Sequence, residues 1–118
     1  MNLEFGKKGE KLAWEFLTKQ GYTLLGQNYR KRNGEIDLIA LDPASNEIVF
    51  IEVKARHSAD FGYPEEAVNA LKIKKMSQVA QNWLAESGMQ APSWRLDVIA
   101  IQIKAGKPEI VHLKNIGD

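Results

Sequence analysis

Asp37, Glu52 and Lys54 are the residues whose types and spacing could do chemistry together. Glu52 and Lys54 flank Val53 at the end of a strand-like run that begins at Ile48, and Asp37 sits in a second such run just upstream. Carboxylate oxygens are the ligands that Mg²⁺ prefers, and a lysine beside such an ion can steady a phosphate or help activate a water. The combination points to metal-assisted phosphodiester cleavage. An acid-x-lysine triplet alone carries little weight, and the plainer alternative is a surface ion-pair network, which stabilises a fold only weakly.

The elements that must position these groups are legible around them. Glu35 to Leu41 and Ile48 to Lys54 are β-branched or apolar, and Asp42-Pro43-Ala44-Ser45-Asn46-Glu47 between them is rich in turn formers, which predicts an antiparallel hairpin. If Leu41 lies opposite Ile48, Asp37 falls opposite Glu52 and Glu35 opposite Lys54, and all four share one face. Opposed residues hold their Cβ atoms about 5 Å apart, so two carboxylates placed in this way require a neutralising partner such as a divalent cation. A one-residue bulge would turn one of the carboxylates to the other face.

Elsewhere, Leu3 to Gln20 reads as a helix, with Phe5, Leu12, Ala13, Phe16 and Leu17 at helical spacing and Gly21 as its stop. Gly6 and Gly9 weaken it by about 1 kcal/mol each relative to alanine, which points to a close backbone approach to the sheet or to a ligand. Tyr22 to Tyr29 is a strand, and Arg30-Lys31-Arg32-Asn33-Gly34 a basic turn. After Lys54 comes a polar loop, Ala55 to Tyr63. A second helix starts at Pro64-Glu65-Glu66 and runs to Ser87, with a stripe of Val68, Leu71, Met76, Val79, Ala80, Trp83 and Leu84 and a stop at Gly88. Leu96 to Ile103 and Ile110 to Leu113 are the last strands, joined by Ala105-Gly106-Lys107-Pro108. Helix, three strands, helix, two strands (αβββαββ) is a mixed α/β layer fold, and 118 residues suit a single domain.

Composition narrows the chemistry. The absence of cysteine removes disulfides, thiolate catalysis and cysteine-bound zinc, and His57 and His112 lie too far apart in sequence to show ligand spacing, so any metal is expected to be oxygen-bound. No apolar run approaches the roughly 18 residues of a membrane span, and acids and lysines interrupt Met1 to Leu17, unlike a signal peptide; the expectation is a cytoplasmic protein. Net charge is only +1, yet the first 34 residues hold seven lysines or arginines against three glutamates. That basic segment could face a polyanion.

The motifs GEIDLIA (Gly34 to Ala40) and IVFIEVKAR (Ile48 to Arg56), with the opening helix carrying Gly6, Gly9 and Glu10, resemble the YraN-like family of small bacterial proteins. Those proteins are predicted endonucleases of the PD-(D/E)XK nuclease superfamily, similar to archaeal Holliday junction resolvases. The resemblance covers nearly the whole chain. It implies a restriction-endonuclease-like mixed sheet flanked by helices, with Mg²⁺ as cofactor and Mn²⁺ as a substitute. It also implies that Asp37, Glu52 and the main-chain carbonyl of Val53 bind the metal, that Lys54 assists the attacking water, and that Glu10 supplies the resolvase-type glutamate of the first helix. Ile36 departs from the pattern by standing where the superfamily name has proline. Glu35 is an additional acid, expected to pair with Lys54.

The implied activity is endonucleolytic hydrolysis of DNA, branch-selective and resolvase-like in repair or recombination, which would require two sites held in a homodimer. The motif does not distinguish RNA from DNA, because such a site sees mainly phosphate. The competing expectation is a nucleic-acid-binding or interaction module that keeps the fold without cutting. Arg30, Lys31 and Arg32, and Lys72 and Lys75 on the second helix, are the candidate phosphate contacts, with solvated surface charge as the alternative. Trp14 and Trp83 read as core, with stacking on unpaired bases as the lesser option. Asp97, inside an apolar strand, reads as an edge or surface charge paired with Arg95, and His57 as a loop histidine.

Overall fold

Apolar periodicity folds this chain around a five-stranded sheet with one helix on each face. The computed structural model describes residues 3–57, 68–89 and 93–117. The order is α1 (Leu3–Lys19), β1 (Thr23–Lys31), β2 (Gly34–Leu41), β3 (Ile48–His57), α2 (Ala70–Ser87), β4 (Trp94–Lys104) and β5 (Lys107–Leu113). The strands lie in the spatial order β1-β2-β3-β4-β5. All neighbours are antiparallel except β3 and β4, which run parallel. A parallel pair needs a long crossover, and the segment containing α2 supplies it. This is the expected mixed α/β architecture, with the expected order of elements.

Each helix buries one stripe. Ala13 and Leu17 of α1 pack with Leu38, Val49, Ile51 and Val53 on one face of the sheet. On the other face Met76, Val79 and Ala80 of α2 pack with Ile36, Ile39, Ile48 and Phe50. The central strands β3 and β4 are covered on both sides, which is why Ile48 to Ile51 and Leu96 to Ile101 are unbroken buried runs. Gly9 lets α1 settle onto β3: a Cβ there would lie 2.7 Å from the Cβ of Ala55. The close approach to the sheet read from Gly9 is therefore present.

Several boundaries differ from the expectation, each for a local reason. Arg30 and Lys31 belong to β1, because they pair with Glu35 and Gly34, and the turn contracts to Arg32-Asn33. Ala55 to His57 are strand, not loop, since β3 stays paired with β4 as far as His57–Ile103. Asn69 caps α2 by accepting the Lys72 N–H at 2.9 Å, so Val68 precedes the helix, and the start expected at Pro64-Glu65-Glu66 lies outside the described residues. Leu71 is 62% exposed instead of joining the stripe. Lys107 and Pro108 open β5, leaving Ala105-Gly106 as the two-residue turn, both with positive φ. Trp14 is 39% exposed, whereas Trp83 and Trp94 pack against Phe50 as core.

Asp97 departs furthest from expectation. It does pair with Arg95, yet β4 is a central strand and Asp97 is fully buried. The Arg95 guanidinium reaches Asp97 at 3.0 Å, Asp42 at 2.7 Å and Glu47 at 3.1 Å. Asp97 also accepts from the Asn115 N–H at 2.9 Å and lies 2.7 Å from His112 Nε2. Tyr22 joins through its hydroxyl, so the cluster ties the end of the β2–β3 hairpin, the start of β1 and the C-terminal segment to β4. Such a cluster is tolerable in an interior only because nearly every charge meets an opposite one.

Candidate active site

The register predicted for the hairpin holds from Leu41–Ile48 to Leu38–Ile51 and then stops. Beyond that point Asp37 and Glu52 are not ladder partners. Instead Asp37 Oδ2 accepts the Val53 main-chain N–H at 2.7 Å, so a carboxylate substitutes for the main-chain acceptor that a continuing strand would offer. The alternation of β2 breaks here too: Ile36 packs in the same cluster as Ile39, although strict alternation would put it with Leu38. On the neighbouring strand Asn28 adopts a positive φ of 52°. The irregularity that could redirect a carboxylate thus falls at Asp37 itself.

Four acids surround this point. Burial drives the Asp37 carboxyl up to about 7, and the charges of Glu10, Glu35 and Glu52 add to the rise, against the lowering effect of the Val53 N–H. Burial also raises Glu10 above the ordinary carboxylate range, opposed chiefly by a hydrogen bond with Asn28. Glu52 Oε1 receives Lys72 Nζ at 2.8 Å, while its other oxygen, Oε2, is buried without a hydrogen-bond partner among the described residues. Glu35 pairs with Arg30 at 3.1 Å, not with Lys54, because the ladder that would have set it opposite Lys54 ends too soon. Lys54 is half-buried and forms no ion pair with a described residue.

The fit of a divalent cation can be judged on these groups. Among the described residues, no three acidic or histidine side chains gather closely enough to hold one by side chains alone. Asp37, Glu52 and the Val53 carbonyl offer a smaller set, and Mg²⁺ commonly takes one or two carboxylates and completes its shell with water and phosphate oxygens. An orphaned buried carboxylate oxygen beside an acid whose charge is disfavoured is a site short of positive charge. The residues fit the ion.

The basic candidates divide: Lys31, Arg32 and Lys75 lie around the β1–β2 turn, whereas Lys72 lies against Glu52. Lys31 pairs with Glu86, Arg32 is exposed at the tip of the β1–β2 turn, and Lys75 is exposed on α2 beside Gly34 at that turn's end. Lys72 faces Glu52 directly. His57 ends β3. Sequence reading missed Asn28 as the partner of Glu10; the available signal was an asparagine near the end of β1, a residue type that tolerates the left-handed region.

Comparison with known proteins places the chain. The sequence profile of Uncharacterised protein family UPF0102 matches residues 9–101. The chain belongs to this family. The match runs from Gly9 through most of β4 and so takes in Glu10, Asp37, Glu52 and Lys54. A UPF0102 protein of Chloroherpeton thalassium is 44% identical over 106 residues, 90% of this chain and 81% of the relative. One of Alkaliphilus oremlandii is 43% identical over 117 residues, 98% of each. Another, of Mycolicibacterium gilvum, is 38% identical over 113 residues, 95% of this chain and 92% of the relative.

Proposed function

We propose that this UPF0102 protein is a metal-dependent endonuclease that hydrolyses DNA phosphodiesters. The observation that carries the reading is the buried Oε2 of Glu52, without a partner among the described residues, at the point where β2 and β3 part, beside the electrostatically strained Asp37. Asp37, Glu52 and the Val53 carbonyl would hold Mg²⁺, or Mn²⁺ in its place. When bound, the ion would offset charge on the phosphate and lower the pKa of a water. Lys54, with no competing ion pair among the described residues, directs its ammonium to the charge that develops on the phosphoryl oxygens as water attacks in line. Glu10 acts on the same site from α1, through the field it exerts at Asp37. The P–O3′ bond breaks, leaving a 5′-phosphate and a 3′-hydroxyl. Arg30, Lys31, Arg32 and Lys75 serve as peripheral phosphate contacts, since the exposed ion pairs that now engage Arg30 and Lys31 are weak enough to exchange.

The Lys72–Glu52 ion pair favours a second reading, a nucleic-acid-binding module on this fold without cleavage, because it already compensates one carboxylate. Labelled four-way junction, flap, single-stranded and duplex DNA, each with Mg²⁺, Mn²⁺ or EDTA, separate the two. Metal-dependent cleavage that falls by about 10²-fold or more in Asp37→Ala and Lys54→Ala is the expected result. Metal-independent binding with no cleavage of any substrate would select the binding module, and preferential cutting of the junction would support resolvase-like action.

A further inference from the structure

On the outer flank of the sheet lies a groove of which the proposed hydrolysis uses only Glu10. Two adjoining hollows of about 300 and 250 Å³ share Trp14 and Gln27 as walls. Lys7, Glu10, Lys11 and Trp14 recur at intervals of three and four on α1, so one face of the helix presents two cations, an acid and an indole. The opposite wall is the edge strand β1, with Gln27 and Asn28 at one end and Leu24 to Gly26 at the other. Scattered exposed apolar residues are ordinary, but this tryptophan stands inside a groove between lysines and amides.

We propose that this groove holds one unpaired nucleotide of a single strand, its base stacked on Trp14 and its phosphates against Lys7 and Lys11. An indole offers a stacking face to any base, and the lysines supply the charge complementarity that a phosphate requires. The carboxamides of Gln27 and Asn28 lie where they can meet a base edge. A base paired within a duplex keeps its face covered and has no access to Trp14. Glu10 lines the groove, so a strand bound here runs past the α1 acid that the proposed active site includes. Taken with the nuclease reading, on which this last step rests, the substrate is a strand with an unpaired base next to the scissile phosphate.

The test is binding in EDTA, where cleavage plays no part. The full chain is titrated with labelled oligodeoxyuridylate and oligouridylate of about 12 nucleotides and with a blunt duplex, following anisotropy and tryptophan fluorescence. Single strands are expected to quench the fluorescence. Trp14→Ala should weaken their binding about tenfold and remove most of the quench, Trp14→Phe should keep most of the affinity, and duplex binding should not change. Tighter binding of one oligomer names DNA or RNA as the strand. Equal affinity of wild type and Trp14→Ala for single strands, or no single-strand binding by the wild type, overturns the proposal. Trp14-dependent binding without cleavage when Mg²⁺ is restored would remove the nuclease reading and leave the groove standing.

Discussion

At the residue scale the candidate site is a place where charge is held at some expense, and pH should reveal it. Asp37 is raised to about 7 by burial and neighbouring acids. Between about pH 4 and pH 7 the native state therefore keeps a proton that the unfolded chain has lost, so stability falls as pH rises through that window, by up to about 4 kcal/mol. Asp37→Asn removes the titration and should raise the melting temperature in EDTA at pH 8 but not at pH 4; equal shifts at both would show that Asp37 is not strained. Lys72 has the opposite role, since its ammonium compensates Glu52. A unit charge at about 4 Å is worth roughly 1 kcal/mol in water and more when part-buried. Lys72→Met should accordingly bind Mg²⁺ about fivefold tighter or more by calorimetry. Weaker binding would mean that Lys72 positions Glu52 for the ion.

At the element scale the site depends on how α1 is seated. Glu10 reaches the strands because Gly9, next to it, allows contact with Ala55 of β3. In an exposed helix Gly9→Ala would gain about 1 kcal/mol of propensity. Here the added methyl would meet Ala55 at 2.7 Å, and overpacking of that kind costs about 1 to 3 kcal/mol. The contact should win, lowering the melting temperature, and Ala55→Gly in the same chain should restore it. Failure of that rescue would place the cost elsewhere in α1. The helices and strands themselves were legible from apolar periodicity, whereas their ends were not: His57 is strand because β4 continues to pair with it, and Asn69 caps α2 just before Ala70.

At the scale of the whole molecule, the Arg95 cluster joins segments far apart in the chain. Arg95→Met would leave Asp42 and Asp97 buried without their counter-charge, a change that typically costs about 3 to 5 kcal/mol. Thermal melting should show a correspondingly large loss, and a loss comparable to that of an exposed arginine would contradict the network. Burial opposes the charge on Asp42, but Arg95 and the Ala44 N–H hold its carboxyl down to about 2. Its contribution is therefore present above the unfolded value near 4 and is lost as pH falls from about 4 to 2. Asp42→Asn should flatten acid unfolding in that range. If the acid profile kept its slope, the cluster would not be what acid disrupts.

The sequence by itself determined the order of elements and the residues from which a site could be built, because periodicity, turn formers and the Asp37, Glu52 and Lys54 spacing are local properties; the mixed sheet followed from the family resemblance. The close approach of α1 was also legible, in Gly9. Only the tertiary structure decided that the β2–β3 ladder ends at Leu38–Ile51, that Glu35 turns to Arg30 and Glu52 to Lys72, and that Asp97 is interior. A strand's register can be extrapolated from its turn, but where it stops depends on a competing hydrogen bond from a side chain. Likewise an acid in an apolar strand looks the same on an edge as in the middle of a sheet, and Arg95, His112 and Asn115 become its partners only through folding.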